Sequence, residues 1–572
     1  GSPYQPVPIA EDVSQKVAVT ILEQSEDFPA VLAEAQSVRA YPAPFGINAA
    51  HVLGYLSPIT EGELKAAQKD DDRSVNGASD VGRAGLEKHY DAWLRGMPGY
   101  KRVTVDSMGR VLGDDSEVAA SPGDTLVTSI DARVQSVAEK SLHQAMTTAR
   151  KTYDPVTHRN YVADSGAVVV MDPHNGRVVA MSSQPTYDPK QWVGGISSKQ
   201  LKRLYSAKAD NPLLFRATQG QFAPGSTWKP LMAATALSNG FAENTLLDCS
   251  SGVQVGNRWF KNYESASYGP ITFAEALQIS CDSFFYRVGL KFWSQFGRDP
   301  RNVNARDPLV SGAKGFGMGS QTGIDIPGES SGRIADRHWK LSYWRAMKDY
   351  YCKVDEKGSA TGFLRVFAHE FCLEGNLYRQ GDAVNFSIGQ GDTLVTPVQL
   401  ARAYAALSNG GTLYEPRVAK AVVSPTGEVV KKVPPKVQGH VKAKKAALRY
   451  VDNALKGTPR VGTLAWKFID FPLDKVRIRG KTGSAEVYGK QSTSWVATYT
   501  KDYVVVMMVT QAGTGSGTSG PYVRKIWESL YGVKGMDVKP KRAVIPGTTP
   551  PAGLPVFASD GSILPPKGTV SR

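Results

Sequence analysis

The sequence predicts an α/β sandwich whose sheet joins distant parts of the chain, set behind a separate N-terminal unit. Three observations predict it. Apolar, β-branched segments that read as strands stand at 166–172 and 178–182 and return at 476–482, 494–499 and 503–510. Long stretches of helical spacing fill the interval between them. Finally, 572 residues need more than one core, and 41% hydrophobic against 21% charged residues excludes wholesale disorder.

In chain order, residues 10–23 and 28–35 read as helix, and 70–80 as a polar loop. Residues 103–105 read as a strand entering a hairpin at Ser107-Met108-Gly109. The turn signal Ser121-Pro122-Gly123-Asp124 ends the first domain, which is set at 1–123. A strand at 125–130 and a helix at 131–150, with Asp131 near its N-cap, open a second domain spanning 124–532. Its strands 166–172 and 178–182 form a hairpin around 173–176, and a helix at 522–531 closes it. Residues 533–572 are rich in Pro and Gly, as in Pro546-Gly547-Thr548-Thr549-Pro550-Pro551, and read as a surface tail or linker.

The net charge of +15 favours anionic surroundings such as nucleic acid, anionic lipid or a polyanionic wall. The basic residues are dispersed, however, and the densest run, Lys431-Lys432 through Lys442, Lys444 and Lys445, lacks interleaved aromatics and reads as a solvated loop. No nucleic-acid partner is therefore expected. No apolar run reaches 18 residues, so nothing in the chain reads as a membrane span. The opening Gly1-Ser2, without Met, reads as the scar of a trimmed protein.

Cys249, Cys281, Cys352 and Cys372 include no C-x-x-C pair. Cys352-x-x-Asp355 and His369-x-x-Cys372 together carry ligand-like spacing for a structural zinc. A Cys352–Cys372 disulfide and four unrelated side chains are the alternatives. Cys281 is expected to remain a thiol in each case.

Three short motifs carry chemistry. Ser226-Thr227-Trp228-Lys229 precedes a helical pattern at 231–237 and puts a hydroxyl and an amine one turn apart on one face. A lysine with a lowered pKa can then act as the base that makes the serine a nucleophile, and a helix N-terminus favours an oxyanion there. The bland reading is a capped helix with a surface lysine. Ser311-Gly312-Ala313-Lys314, in what reads as a glycine-rich loop, has the same spacing by chance.

Ser280-Cys281-Asp282 follows a helical pattern at 273–279. A hydroxyl beside a carboxylate can relay a proton and orient an amine, though an N-cap would look the same. Lys481-Thr482-Gly483-Ser484 ends the strand 476–479, where glycine lets a ligand backbone approach and a strand edge can pair with a peptide. A cationic edge strand is its bland reading. Gly515-Ser516-Gly517-Thr518-Ser519-Gly520 fits a dinucleotide fingerprint, but no further strand follows it, so it reads as a flexible loop. Gly389-Gln390-Gly391 before Thr396-Pro397 reads as the start of a helix, and Trp228 as a packing or cleft-wall residue.

Taken together, the order and setting of the three motifs resemble the penicillin-recognising serine transferases. Arg39-Ala40-Tyr41-Pro42, residues 49–55, residues 85–91 with Leu94-Arg95-Gly96, and residues 165–173 with Gly176 resemble the class B penicillin-binding proteins in particular. The likeness covers most of 36–532 and leaves out 342–376 and the tail.

The resemblance implies a fold with a central antiparallel sheet flanked by helices, an all-helical subdomain and an elongated N-terminal pedestal of dimerisation type. It implies a peptidoglycan D,D-transpeptidase that needs no cofactor for catalysis and is acylated by β-lactams. Ser226 would be the nucleophile and Lys229 its base. Ser280 and Lys481 would carry the proton to the leaving amine, oriented by Asp282. Thr482, Gly483 and Ser484 would hold the substrate, with the backbone N–H groups of Ser226 and Ser484 as the oxyanion hole. Asp282 departs from the Asn common at that position and leans the reading toward wall elongation. The implied partners are stem peptides, β-lactams and a polytopic glycosyltransferase. The implied place is the outer face of the cell membrane, anchored by an N-terminal helix that this chain lacks. A β-lactam hydrolase and a non-catalytic β-lactam sensor or scaffold are the rival functions.

Overall fold

The structure, a computed structural model, describes every residue except 1–8, 11–12, 29–30, 34–37, 357, 359–360, 546–553, 558–562 and 565–572. After an N-terminal unit come α1 (Ala132–Ala149) and the hairpin of β1 (Gly166–Met171) and β2 (Val178–Gln184). A helical stretch follows, opening with α2 (Lys229–Ser238), a short β3 (Leu247–Cys249), α3 (Phe273–Ile279) and α4 (Asp282–Phe296). It continues through α5 (Pro308–Gly315), α6 (Arg337–Glu356), α7 (Gly362–Glu374) and α8 (Pro397–Asn409). Strands β4 (Arg479–Ala485), β5 (Thr493–Tyr499) and β6 (Val504–Val509) then return, and α9 (Gly520–Tyr531) packs behind them. The five long strands make one antiparallel sheet in the order β4-β5-β6-β1-β2, so both ends of the domain meet in it.

Helices cover both faces of this sheet, which is why its strands are apolar at consecutive positions. Ala167, Val169, Met171, Trp495, Ala497 and Tyr499 face a core shared with α2 and α8. The alternate residues Val168, Val170, Val496 and Val505 pack against α1 and α9. The helices start where short polar side chains can take up free N–H groups. The Asp131 carboxylate accepts from the N–H of Arg133 (2.9 Å) and Val134 (3.2 Å). Thr396 and Gln399 form a reciprocal cap on α8, with Pro397 at its first position.

The N-terminal unit docks on this domain through specific contacts. Glu139 on α1 accepts from the N–H groups of Asn48 and Ala49, both at 2.8 Å. Tyr55 stacks on Trp192 with centroids 3.6 Å apart, and the Tyr187 hydroxyl donates to the carbonyl of Ala50.

Several local expectations are corrected. The first helix is Gln15–Glu23, shorter than 10–23, and the described residues of 28–35 are not helical. Residues 476–478 are not strand. Val476 and Ile478 plug the core from turns whose N–H groups bond locally, and pairing starts only at Arg479, opposite Tyr499. The basic run at 431–445 is not a loop throughout, since Val429–Lys432 and Val437–His440 are strands. Residues 533–545 are mostly exposed, though Ala543 and Ile545 are buried, while the Pro-rich segment 546–551 lies outside the described residues. Among the described residues no helix is long and apolar enough to cross a membrane.

Candidate active site

Gly225 opens a tight 3-10 turn, Gly225–Trp228, that runs directly into α2, so Ser226 sits just before the helix and Lys229 is its first residue. The turn is held from several sides. Gly225 N–H donates to the carbonyl of Gly389 at 2.9 Å, and the Tyr404 hydroxyl of α8 donates to the carbonyl of Thr227 at 2.8 Å. Trp228 is fully buried, edge-on to Phe386, which bears out its reading as a packing residue. Gly225 has φ +53°, and a Cβ there would lie 2.9 Å from the carbonyl oxygen of Ser484, so glycine lets the first motif approach the third. Ser226 remains half-buried between buried neighbours.

The second motif meets the first at the lysine. Ser280, with φ +66°, ends α3 in a left-handed turn, and Asp282 opens α4. That bend brings three acceptors onto one amine. Lys229 Nζ donates to the carbonyl of Ser280 (2.7 Å), to Asp282 Oδ1 (2.7 Å) and to Ser280 Oγ (3.3 Å). Asp282 is held in turn, because its N–H donates to Asn262 Oδ1 at 2.9 Å.

The third motif lies in the middle of β4, the outermost strand of the sheet, rather than at its end. Lys481 and Gly483 stand opposite Ala497 and Trp495 and share one face. The Thr482 hydroxyl bonds Thr463 at 2.7 Å, and Gln390 Nε2 donates to the carbonyl of Ser484 at 3.3 Å. Lys481 is fully buried, with Nζ 3.2 Å from the carbonyl of Thr482.

Electrostatics follow from that burial. Lys229 is pushed below the ordinary lysine range by desolvation, against the pull of Asp282, which favours its charged form. Lys481 is pushed well below that range, first by burial and then by the like charge of Lys229, with Asp282 opposing. Two buried ammonium groups sharing a single carboxylate would leave one charge uncompensated, which favours loss of a proton from the pair. A buried amine whose neutral form is favoured, one turn from a half-exposed serine, is an arrangement in which an amine could serve as general base to a hydroxyl.

Elsewhere the structure corrects the sequence. Cys281 is not a thiol but is bonded to Cys249. Of the four residues expected to hold zinc, Cys352 and Cys372 form a disulfide between α6 and α7, and His369 Nδ1 pairs with Asp355 Oδ2 at 3.0 Å. Bonded to each other, the sulfurs lack the thiolate a zinc requires. Among the described residues no group of three or more His, Cys, Asp or Glu is placed to hold a metal. Ser311 and Lys314 lie on α5, not in a loop, with Lys314 paired to Asp336 at 2.6 Å. Gly515–Ser519 is a helical turn against β5, not a flexible loop. A Cβ on Gly515 would sit 2.0 Å from the carbonyl oxygen of Trp495. The sequence reading missed Asn262 and Thr463 and gave Gln390 only a helix-start role. Only Gln390, between two glycines, carried a local signal.

Comparison with known proteins places this geometry. Residues 166–528 match the penicillin binding protein transpeptidase domain, and residues 1–128 match the penicillin-binding protein dimerisation domain. The peptidoglycan D,D-transpeptidase MrdA of Salmonella typhimurium is 27% identical over 95% of this chain and 80% of its own. The Escherichia coli K12 protein of the same name is 27% identical over 92% and 76%. Among solved structures, one described as "Structural coordination of polymerization and crosslinking by a peptidoglycan synthase complex" superposes with a TM-score of 0.69. It shares 26% identity and covers 91% of this chain and 81% of its own. PBP2 of Pseudomonas aeruginosa in complex with WCK 5153 gives a TM-score of 0.65 at 25% identity, over 88% and 92%.

Proposed function

The chain belongs to the penicillin-binding protein transpeptidase family, and from that premise we propose that Ser226 is the nucleophile of its peptidoglycan D,D-transpeptidase reaction, with Lys229 as its base. The protein is a serine-type D-Ala-D-Ala transpeptidase that cross-links stem peptides and is acylated by β-lactams. The observation that supports the assignment is the buried Lys229 amine, bonded to Ser280 and Asp282 and pushed below the ordinary lysine range by desolvation.

Ser226 Oγ attacks the carbonyl carbon of the penultimate D-Ala as its proton passes to Lys229 Nζ. The proton travels on through the Ser280 hydroxyl, with Lys481 nearby, to the leaving D-Ala amine. The C–N bond breaks and a serine ester remains. The acceptor amine of a second stem then attacks that ester, its proton returns along the same path, and Ser226 is restored. Backbone N–H groups of Ser226 and Ser484 stabilise the oxyanion, and Thr482, Gly483 and Ser484 on the edge strand hold the donor peptide as an added strand. Asp282 acts as an orienting carboxylate, since an ionised Asp cannot donate a hydrogen bond to substrate.

The N-terminal unit is a pedestal, the enzyme works at the extracytoplasmic face of the cell membrane behind an N-terminal anchor, and its polymerising partner is a polytopic glycosyltransferase. The synthase-complex relative supports that pairing. At Cys352–Cys372 the reading follows the disulfide, and a structural zinc is open only to the reduced thiols. A thioester or peptide ending in D-Ala, offered with an amine acceptor, tests the function. Transfer to the acceptor is expected, and acylation without turnover would leave only a sensor.

A further inference from the structure

The second motif carries a covalent tie that the proton path above does not use. Cys281, between Ser280 and Asp282, is bonded to Cys249 at the end of β3, and both residues are buried. The tie lies at the bend that aims the motif. Ser280 is a non-glycine residue in the left-handed region (φ +66°), a conformation that persists only where its surroundings hold it. Cys281 caps α4, its sulfur accepting the N–H of Phe284 at 3.4 Å.

Asn262 joins the two ends of the crosslink. Its Nδ2 donates to Cys249 Sγ at 3.5 Å, and its Oδ1 accepts the N–H of Asp282 at 2.9 Å. β3 pairs in turn with Gly269–Ile271, the strand that leads into α3. Disulfide, asparagine and strand pair therefore close a ring around the bend, and Ser280 and Asp282 leave that ring pointing at Lys229 Nζ. A shift of about 1 Å in such a constellation can cost on the order of 10² in rate.

We propose that the Cys249–Cys281 disulfide is a positioning element of the transfer reaction, holding Ser280 and Asp282 on the Lys229 amine so that the oxidised enzyme acylates faster than the reduced one. The inference rests on the assignment of Ser226 and Lys229 above. Reduction is a two-electron step. A dithiol such as dithiothreitol gives two electrons and two protons, the S–S bond becomes two S–H groups, and the dithiol leaves as a cyclic disulfide. The charged groups facing Lys229 are Asp282 from α4 and Lys481 from β4, and the Phe285 ring lies 5.6 Å from its amine. Letting Asp282 drift removes the anion that favours the lysine's charged form.

The test compares the full chain with a Cys249→Ala/Cys281→Ala variant, using Cys352→Ala/Cys372→Ala as the control for the other disulfide. Acylation by a fluorescent penicillin is followed against pH, together with thermal unfolding. In the folded variant the acylation rate constant is expected to fall at least about tenfold with little change in penicillin affinity. Its acid limb should move to lower pH, and the control should keep the parental profile. In an Asp282→Asn background the same cysteine pair should cost less than about threefold, because the group being positioned has lost its charge. A rate within about twofold of the parent overturns the proposal. So does an undiminished loss in the Asp282→Asn background, or a free thiol at Cys281 in the native enzyme by alkylation mapping. If the variant fails to fold, the parent refolded under reductant takes its place with the same criteria. Because Ser226 remains labelled in each case, failure here is separable from failure of the active-site assignment.

Discussion

Replacing Asp282 by Asn removes one negative charge while keeping an oxygen that can accept from Lys229. The contact is 2.7 Å, with the lysine fully buried. At an effective dielectric of about 20, a pair of unit charges at that distance is worth about 6 kcal/mol. Much of this offsets the desolvation of both groups, so the net change in the lysine's titration is smaller, and a shift of one pH unit requires only about 1.4 kcal/mol. The sign follows from the charge. Asp282 favours the ammonium form of Lys229 and of Lys481, so its loss lowers both pKa values further. Lys229 must lose its proton to act as base, and that requirement sets the acid limb of the acylation profile. The acid limb is expected to move to lower pH, by at least about one unit. Stopped-flow acylation by a fluorescent penicillin across the pH range measures this directly. An acid limb that stays in place, or moves upward, refutes the idea that Asp282 acts on Lys229 through its charge.

Other expected outcomes follow from packing. Gly225→Ala should slow acylation by at least about tenfold and destabilise the fold by about 1–3 kcal/mol, because Cβ meets the Ser484 carbonyl at 2.9 Å in a left-handed turn. A chemical-denaturation curve and a labelling time course check the two parts. The native protein should show no bound zinc and no free thiol at Cys352 or Cys372. Replacing both by Ala should cost about 3 kcal/mol on the chain-entropy view for a span of 20 residues. Elemental analysis finding one zinc per chain with two free thiols would reverse that reading. A fragment beginning near Gly123 should still be acylated when folded, but with a lower melting temperature, since it loses the contacts of Asn48 and Ala49 with Glu139 and of Tyr55 with Trp192. A properly folded fragment that cannot be labelled would place a catalytic group in the removed part.

The sheet and the three motifs were legible in the sequence because each is local. Residues 166–171 and 504–509 are runs of buried apolar residues that periodicity detects, and Ser226, Ser280 and Lys481 stand in short fixed patterns. What was not legible depends on chain segments meeting in space. Asn262 reaches Asp282 across a loop, and Gln390 reaches Ser484 from another part of the domain, with spacings that no helix or strand period generates. The same holds for Cys249 and Cys281, where the motif drew attention to Ser280 and Asp282 and left the residue between them looking like a spectator. Strand limits failed at 476–478 because Val476 and Ile478 alternate like a strand yet are buried from turns. Ser311 and Lys314 show the converse. They have the spacing of the first motif, but on α5 the lysine is spent on Asp336.

The central claim is that Ser226, served by a buried Lys229, is the acylated residue. Intact-mass spectrometry after incubation with penicillin tests it most directly. A single slowly released penicilloyl adduct per chain is expected on the parent, mapped to Ser226 by peptide sequencing. The adduct should be absent from folded Ser226→Ala and unchanged in Ser311→Ala. An adduct that persists in Ser226→Ala, or none on the folded parent, contradicts the account.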